Sequence, residues 1–211
     1  MNYSTGAPNY YLSTTILHMF DKLRQYLSRQ AHFTEDEFLV MENSFVEKRL
    51  SKGEFLLREG EISKYGAFVT KGCLRSYTID DKGKEHILQF APEEWWIGNI
   101  TSARTNTPSA YFIDAIEDSE LLIIDGPSFE TSMQKVAGFA AGFRAGIERH
   151  AAAKDQRIIA ALSSSAEERY INFLQKYPTI AQRVPQHMLA SYLGISPETL
   201  SRVRKQMSKR K

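Results

Sequence analysis

Cysteine is almost absent from this sequence, and its scarcity limits what the chain can be. Cys73 is the single cysteine among 211 residues, so no disulfide framework can form within the chain. A lone thiol in a chain of this length is typical of a reducing compartment. We expect Cys73 to be a small, buried apolar side chain.

Long apolar runs are also missing. No stretch approaches the roughly 20 apolar residues that a membrane-spanning helix requires. The N-terminal residues show no basic segment followed by an apolar core, so no signal peptide is predicted. We therefore expect a cytoplasmic protein with no membrane partner.

An even distribution of charge is lacking as well. From Ala166 to the end the chain carries nine Lys/Arg against three Asp/Glu, a net charge of +6. The preceding residues carry 18 against 22, a net charge of −4. A basic module joined to an acidic body predicts that only the C-terminal part contacts a polyanion.

The stretch 184–205 has the pattern of two short helices joined by a tight turn. Apolar residues that can share one inner surface recur at helical spacing: Leu189, Leu193, Leu200 and Val203. Gly194 stands where the first helix must stop, because glycine enters the left-handed conformation without a Cβ clash. Ser196 and Pro197 are a good N-cap and first helical residue for the second helix. This pattern predicts a helix-turn-helix.

The second of these helices places a polar surface opposite its apolar one. Glu198, Ser201, Arg202 and Lys205 fall at i, i+3, i+4 and i+7 and therefore project together. Arginine can bind guanine bidentately, and a carboxylate can accept from cytosine N4. The candidate DNA-binding residues are Ser196, Glu198, Thr199, Ser201, Arg202, Arg204 and Lys205. The tail Lys209, Arg210 and Lys211 suits phosphate oxygens.

The block IxPETLSRVRK, residues 195–205, resembles the recognition helix of the Crp/Fnr transcription regulators. Glu198, Ser201 and Arg202 match the Glu-x-x-Ser-Arg residues that the oxygen-sensing branch places on DNA. The cyclic-AMP receptor branch has an additional arginine where this chain has Pro197. The resemblance therefore implies a half-site closer to TTGA than to TGTGA.

The same resemblance raises the question of a cofactor. Oxygen sensors of this family hold an iron–sulfur cluster through four cysteines, which a chain with one cysteine cannot do. We therefore expect no cofactor and no metal site, and an effector of unknown identity.

The region between Phe45 and Asp125 has the pattern of short strands punctuated by glycine. Seven runs rich in branched and aromatic residues are predicted strands: 44–50, 54–60, 65–72, 73–79, 84–90, 111–116 and 119–125. Asp80 to Gly83 is predicted to be a hairpin turn. Many short strands at even spacing indicate a sandwich or barrel. The LLREGE and VTKGCLRSY stretches resemble the β-roll of the cyclic-nucleotide-binding domain.

The resemblance places the effector pocket between Trp95 and Ala110. Nucleotide-binding members carry a Gly-Glu pair for the ribose and an Arg-Ser or Arg-Thr pair for the cyclic phosphate. This chain reads Gly98-Asn99 and Pro108-Ser109-Ala110 at those places. A buried phosphodiester needs a charge-assisted partner, so we expect no response to cyclic AMP. The candidate effector residues are Gly98, Asn99, Ser109 and Ala110.

Four aromatic residues flank this region: Trp95, Trp96, Tyr111 and Phe112. Aromatic residues in a β-roll usually belong to the core, which is the interpretation we favour. Lining an altered pocket is the alternative.

Residues 138–162 contain no proline and are predicted to form one long helix. Alternating spacings of three and four outline a coiled-coil seam: Ala140, Phe143, Ile147, His150, Lys154, Arg157 and Ala161. Gly138, Gly142 and Gly146 permit close backbone approach, at about 1 kcal/mol each in helix propensity. A partner helix from a second subunit would compensate this cost, and the resemblance implies the same. The alternative is a helix lying on its own β-roll.

These observations predict an α+β fold with an N-terminal antiparallel β-roll and flanking helices, a long dimerisation helix and a C-terminal winged helix-turn-helix. We expect a sensor domain at 1–137, the dimerisation helix at 138–163 and a DNA-binding domain at 164–211. The only room for a wing before the helix-turn-helix is 180–184, which is short for two strands.

The function predicted is a homodimeric, sequence-specific regulator of transcription that binds a palindrome in double-stranded DNA and is not an enzyme. The resemblance also implies contact with RNA polymerase. Two alternatives differ in class. One is a module that senses a small molecule without binding DNA, which the basic tail disfavours. The other is a cupin-like metalloenzyme, which needs inward-facing histidines, whereas only His86 of five histidines lies in the strand region.

Overall fold

The computed structural model describes residues 14–209, so the predicted tail contacts of Arg210 and Lys211 lie outside the described residues. The strands are β1 (Val46–Leu50), β2 (Phe55–Leu57), β3 (Tyr65–Lys71), β4 (Leu74–Ile79), β5 (Glu85–Ala91), β6 (Trp96–Ile97), β7 (Phe112–Ala115) and β8 (Ser119–Asp125). The helices are α1 (Thr14–Ser28), α2 (Glu35–Glu42), α3 (Ile100–Thr105), α4 (Gly126–Lys135), α5 (Ala137–Ser163), α6 (Ala166–Lys176), α7 (Ile180–Arg183), α8 (Gln186–Leu193) and α9 (Pro197–Ser208).

The strands form two four-stranded antiparallel sheets, with orders β1-β8-β3-β6 and β2-β7-β4-β5. Both sheets contribute to one buried cluster, including Leu50 and Val69 from the first sheet and Leu74 and Ile113 from the second. The predicted antiparallel β-roll within an α+β fold is thereby confirmed. Each of the seven predicted runs corresponds to one strand, and β5 continues one residue beyond its run to Ala91. The sequence pattern missed β6, because two residues are too few to show a periodicity.

The hairpin between β4 and β5 forms where the sequence predicted it. The Gly83 amide donates to Asp80 O at 2.8 Å, and Asp80 Oδ1 accepts from the amides of Lys82 and Lys84. A side chain that bonds its own turn in this way competes with extended structure and fixes the reversal.

Helix α5 is 27 residues long, and its first half packs against its own chain. An added Cβ at Gly138 would meet the Phe33 ring, and one at Gly142 would meet Gln30. The glycines therefore admit the end of α1 and the segment that follows it. The prediction that a partner subunit's helix makes this close approach is wrong, because the same chain fills the space.

The second half of α5 lies along the β-roll. Arg157 donates to Ile87 O and Leu88 O, and the His150 ring contacts the Trp95 ring with centroids 5.2 Å apart. The prediction that the later half of the coiled-coil seam faces a partner helix is therefore wrong, because these side chains face the protein's own roll. The polar ends of such side chains find partners on a sheet edge that an apolar seam would not offer.

The expected wing is not found in the described part of the chain after β8. Residues 180–183 form the single helical turn α7, closed by the Val184 amide donating to Ile180 O at 3.0 Å. Ile180 and Val184 are buried in the core of the C-terminal helices. Burying both apolar ends of this five-residue segment favours a compact turn over two strands.

Adding one methyl group to α5 should have opposite effects at two of its glycines. Gly138→Ala places a Cβ 2.8 Å from Phe33 Cζ, and that ring is held by stacking on Phe38. We expect a loss of about 1–2 kcal/mol in unfolding free energy, because overpacking exceeds the gain in helix propensity. Urea titration measures this loss.

The matched control is Gly146→Ala in the same helix. Its nearest atom outside the helix would be Tyr26 Oη at 3.8 Å, an ordinary contact. We expect this variant to gain up to about 1 kcal/mol. Equal effects of the two substitutions would contradict the close approach at Gly138.

Candidate nucleic-acid interface and effector cavity

The turn between α8 and α9 uses the residues that the sequence assigned to it. Gly194 has φ +66°, and its amide donates to Ser191 O at 3.0 Å. The Ile195 amide donates to Ala190 O, also at 3.0 Å, which completes the C-terminal cap of α8. Ser196 Oγ accepts from the Thr199 amide and caps α9.

Helix α9 has one buried and one exposed side. Leu200 and Val203 lie in the core, with Val203 only 5% exposed. Six of the seven candidate DNA-binding residues are exposed, and only Thr199 is half-buried; the exposed ones are Ser196, Glu198, Ser201, Arg202, Arg204 and Lys205. Hydrogen bonding from Ser196 lowers the pKa of the Glu198 carboxyl, so this group is ionised at neutral pH. Acidic, hydroxyl and guanidinium groups therefore face solvent along one helix.

Two of the candidates, Ser196 and Thr199, lie at the start of α9. Their hydroxyl oxygens are 3.2 Å apart, and the Ser196 hydroxyl also accepts the capping hydrogen bond. Ser196 thus has a structural role that accounts for its presence without a base contact.

The helix-turn-helix packs against the open edge of β5. Ser191 Oγ on α8 accepts from the Ile87 amide at 3.0 Å and donates to Glu85 O at 2.9 Å. These bonds satisfy backbone groups that an edge strand otherwise leaves unpaired. No local sequence pattern marks this contact, since the partners are more than 100 positions apart.

One hydrophobic cluster spans the β-roll and the C-terminal helices. Ile87 and Phe90 of the roll join Phe173, Leu189 and Leu193 of the helices in this cluster. Its buried area holds α6, α8 and α9 against the roll, because separating them would return these side chains to water.

Three charged residues, which we call the Arg183 clamp, reinforce this packing. Arg183 on α7 binds the Glu93 carboxylate bidentately, with both N–O distances 2.9 Å. Its Nε donates to Glu117 at 3.1 Å. Hydrogen bonds to both carboxylates raise the pKa of the Arg183 guanidinium. The clamp joins α7 to two loops of the roll, and its members are too far apart in sequence to have been predicted.

A cavity of about 380 Å³ lies between the roll and α5. This size falls within the range of about 300–1,000 Å³ that small-molecule sites occupy. Aromatic rings from several elements form much of its wall: Tyr65, Trp96, Tyr111, Phe129 and Phe143. Trp96 also contacts the Phe68 ring in the core. Trp96 and Tyr111 therefore line the pocket, as the alternative interpretation held, and also pack against the core, as expected.

Two of the four effector candidates reach this cavity. Gly98 and Asn99 line it, whereas Ser109 and Ala110 do not. The Asn99 side chain accepts from the Ser102 amide and donates to Ser109 Oγ, both at 3.0 Å. Ser109 Oγ in turn donates to Tyr111 O at 2.8 Å. These polar groups are satisfied by one another rather than directed at a ligand.

Two other side chains of reactive types, Cys73 and His86, are buried or hydrogen-bonded in this structure. Cys73 is 1% exposed, as expected, and burial raises the pKa of its thiol to about 12. His86 Nε2 lies 2.8 Å from an Asp80 carboxylate oxygen at the β4–β5 hairpin. Among residues 14–209, no three His, Cys, Asp or Glu residues are grouped to hold a metal ion. None of the helices in this range is long and apolar enough to cross a bilayer.

Comparison with known proteins agrees with this architecture. Residues 47–136 match the family profile of the cyclic nucleotide-binding domain. FixK2 from Bradyrhizobium japonicum superposes with a TM-score of 0.70 at 21% identity, covering 79% of this chain and 85% of FixK2. A search of curated protein sequences gave no significant match.

Two further solved structures are similar. The c-di-GMP responsive global regulator CLP from Xanthomonas campestris has a TM-score of 0.68 at 13% identity, covering 83% of this chain and 92% of CLP. A protein from Eubacterium rectale described as a transcriptional regulator of the Crp/Fnr family has a TM-score of 0.62 at 18% identity. That comparison covers 84% of this chain and 85% of the relative.

The segment 47–136 is therefore similar to a cyclic nucleotide-binding domain, and the chain also carries a C-terminal helix-turn-helix formed by α8 and α9. Its fold is similar to that of FixK2 and to that of the Eubacterium rectale Crp/Fnr protein, which agrees with the resemblance drawn from the recognition-helix block.

The Arg183 clamp should make stability depend on acidity. Burial raises the pKa of Glu93, but hydrogen bonds from Arg183 and from backbone amides outweigh it, so the pKa lies below the ordinary 4.5. Glu93 therefore stabilises the fold above about pH 4.5, and this contribution is lost as the pH falls through its lowered pKa. We expect Glu93→Gln to cost about 1 kcal/mol at pH 7, allowing for solvent screening, and to flatten the loss of stability below pH 5.

Urea unfolding at neutral and acidic pH measures both effects. Glu59→Gln is the control, because Glu59 is exposed and has no charged partner among the described residues. The same pH dependence in both variants would show that the clamp does not contribute.

Proposed function

We propose that this chain is a homodimeric regulator of transcription that binds a palindromic site in double-stranded DNA. The observation that carries the proposal is the exposed surface of α9, where Glu198, Ser201 and Arg202 project together from a helix with a buried opposite side. A helix of this kind enters the major groove and reads base edges. The net charge of +6 on residues 166–211 supports attraction to phosphate.

Glu198, Ser201 and Arg202 support a half-site similar to TTGA, because they resemble the residues that the oxygen-sensing branch of the Crp/Fnr regulators places on DNA. Two copies would bind half-sites about one helical turn apart. Lys205 and Lys209 suit flanking phosphates. We also propose contact with RNA polymerase, which the resemblance to the Crp/Fnr regulators implies.

We expect Arg202→Ala to lose about 1–3 kcal/mol of binding free energy and to relax the preference at one base pair. Lys209→Ala should weaken all duplexes similarly and reduce the salt slope by about 1. Selection from random duplexes, followed by titration of each variant at several salt concentrations, measures both. Equal salt slopes and equal losses on all sequences would contradict direct readout by Arg202.

We propose that the protein dimerises through the side of α5 that its own roll does not cover. Ile158, Ile159 and Leu162 are 57%, 61% and 84% exposed. Ile158 and Leu162 are four residues apart, so they lie on one side of the helix. Large apolar side chains clustered on an exposed helix indicate a protein surface that is normally covered.

Leu162→Glu should therefore convert a dimer into a monomer and weaken binding to a palindrome. The isosteric change Gln156→Glu adds the same charge at an exposed position of the same helix and should leave the dimer intact. Sedimentation velocity gives the oligomeric state. A wild-type monomer, or a dimer in both variants, would contradict this interface.

We further propose that cyclic AMP is not the effector. Among the described residues that line the cavity there is no arginine, and Asn99 stands where a ribose-binding glutamate is expected. The Asn99 and Ser109 side chains already bond to each other. A cyclic phosphate placed there would lose its water without gaining a charged partner, which is costly.

A further inference from the structure

The cavity between the roll and α5 has a composition that indicates a class of ligand. Its walls are aromatic or aliphatic at Trp96, Ile97, Phe129 and Phe143. Such a surface favours an apolar body that can displace loosely held water. The interior of the roll itself is filled by side chains from both sheets, so the free space lies at the rim.

The charged residues of the lining are unequal in sign. Lys64 and Lys154 contribute ammonium groups, and Asp125 contributes the only carboxylate. Asp125 Oδ1 accepts from the Ser128 amide at 2.8 Å and so serves as the N-cap of α4. Neither lysine has a carboxylate partner within residues 14–209.

The third basic group, His150, is neutral. Burial lowers the pKa of its imidazole, and the neighbouring charges of Lys154 and Arg149 lower it further. The positive charge available to a ligand is therefore that of two lysines. Lysine is a compact point charge that can pair with either a carboxylate or a phosphate. The walls favour an organic acid, because the sugar and base of a nucleotide would lie against apolar side chains, and Asn99 is already bonded to Ser109.

We propose that the cavity binds a small carboxylic acid with an aromatic or acyl body, held by Lys64 and Lys154 at its charged end. The apolar body would lie against Trp96 and Phe143. This proposal rests on the proposed function in one respect: the acid would be the effector of the regulator. Binding itself requires only the cavity and the two lysines.

The test uses the full-length protein and the pair 4-phenylbutyrate and 4-phenylbutyramide, which differ in charge and hardly in shape. Binding is followed by calorimetry and by tryptophan fluorescence, since Trp96 lies in the cavity wall. We expect the acid to bind about fivefold more tightly than the amide, as exposed ion pairs permit. Lys154→Met should remove most of that preference.

Two further variants fix the location. Lys135→Met removes an exposed lysine outside the lining and should leave the preference unchanged. Ala103→Trp should fill the cavity and abolish binding of both compounds, since Ala103 lines it. Retained binding in Ala103→Trp, or loss of the preference in Lys135→Met, would overturn the site.

Equal affinity for acid and amide in the wild-type protein would overturn the ligand class. Binding of cyclic AMP but of neither phenyl compound would do the same, as would binding of no compound. Selection of a duplex is measured without ligand, so failure of the DNA-binding proposal is recorded separately from failure of the cavity proposal.

Discussion

The open edge of β5 is where the β-roll, the long helix α5 and the helix-turn-helix meet. An edge strand presents backbone groups that need partners, and an unfilled edge invites pairing with other chains. Here Ser191 of α8 satisfies Ile87 N and Glu85 O, and Arg157 of α5 satisfies Ile87 O and Leu88 O. The helix-turn-helix and the long helix are thus positioned by the same strand, so their relative placement depends on the roll.

Helix α5 serves two surfaces that impose different residues on it. Its first half carries glycines because Phe33 and Gln30 approach its backbone closely. Its second half turns Arg157 to the roll and leaves Ile158 and Leu162 exposed. Glycine in a helix is unfavourable unless packing compensates, and the exposed apolar cluster is the surface that the proposed dimer would cover. The glycines of the first half and the exposed apolar residues of the second half therefore reflect different surroundings along one helix.

Local features of this fold were predictable from the sequence, and long-range ones were not. Gly194 and Ser196 act on neighbours within four residues, so their turn and cap could be assigned from type and spacing. The side of α5 that faces the roll could not, because spacing alone does not tell an own-chain surface from a partner's. The clamp joins Arg183 to carboxylates 66 and 90 positions away, and nothing local marks such a pair. The wrong prediction of a wing has the same origin, since Ile180 and Val184 are fixed by tertiary burial.

The segment from Glu93 to Trp96 connects the cavity with the helix-turn-helix. Glu93 binds Arg183, Trp95 contacts the Tyr177 ring at the end of α6 with centroids 5.6 Å apart, and Trp96 forms part of the cavity wall. Packed side chains of this kind transmit displacement because a close-packed interior does not deform continuously. A group that moved Trp96 would therefore act on a segment that also contacts α6 and α7.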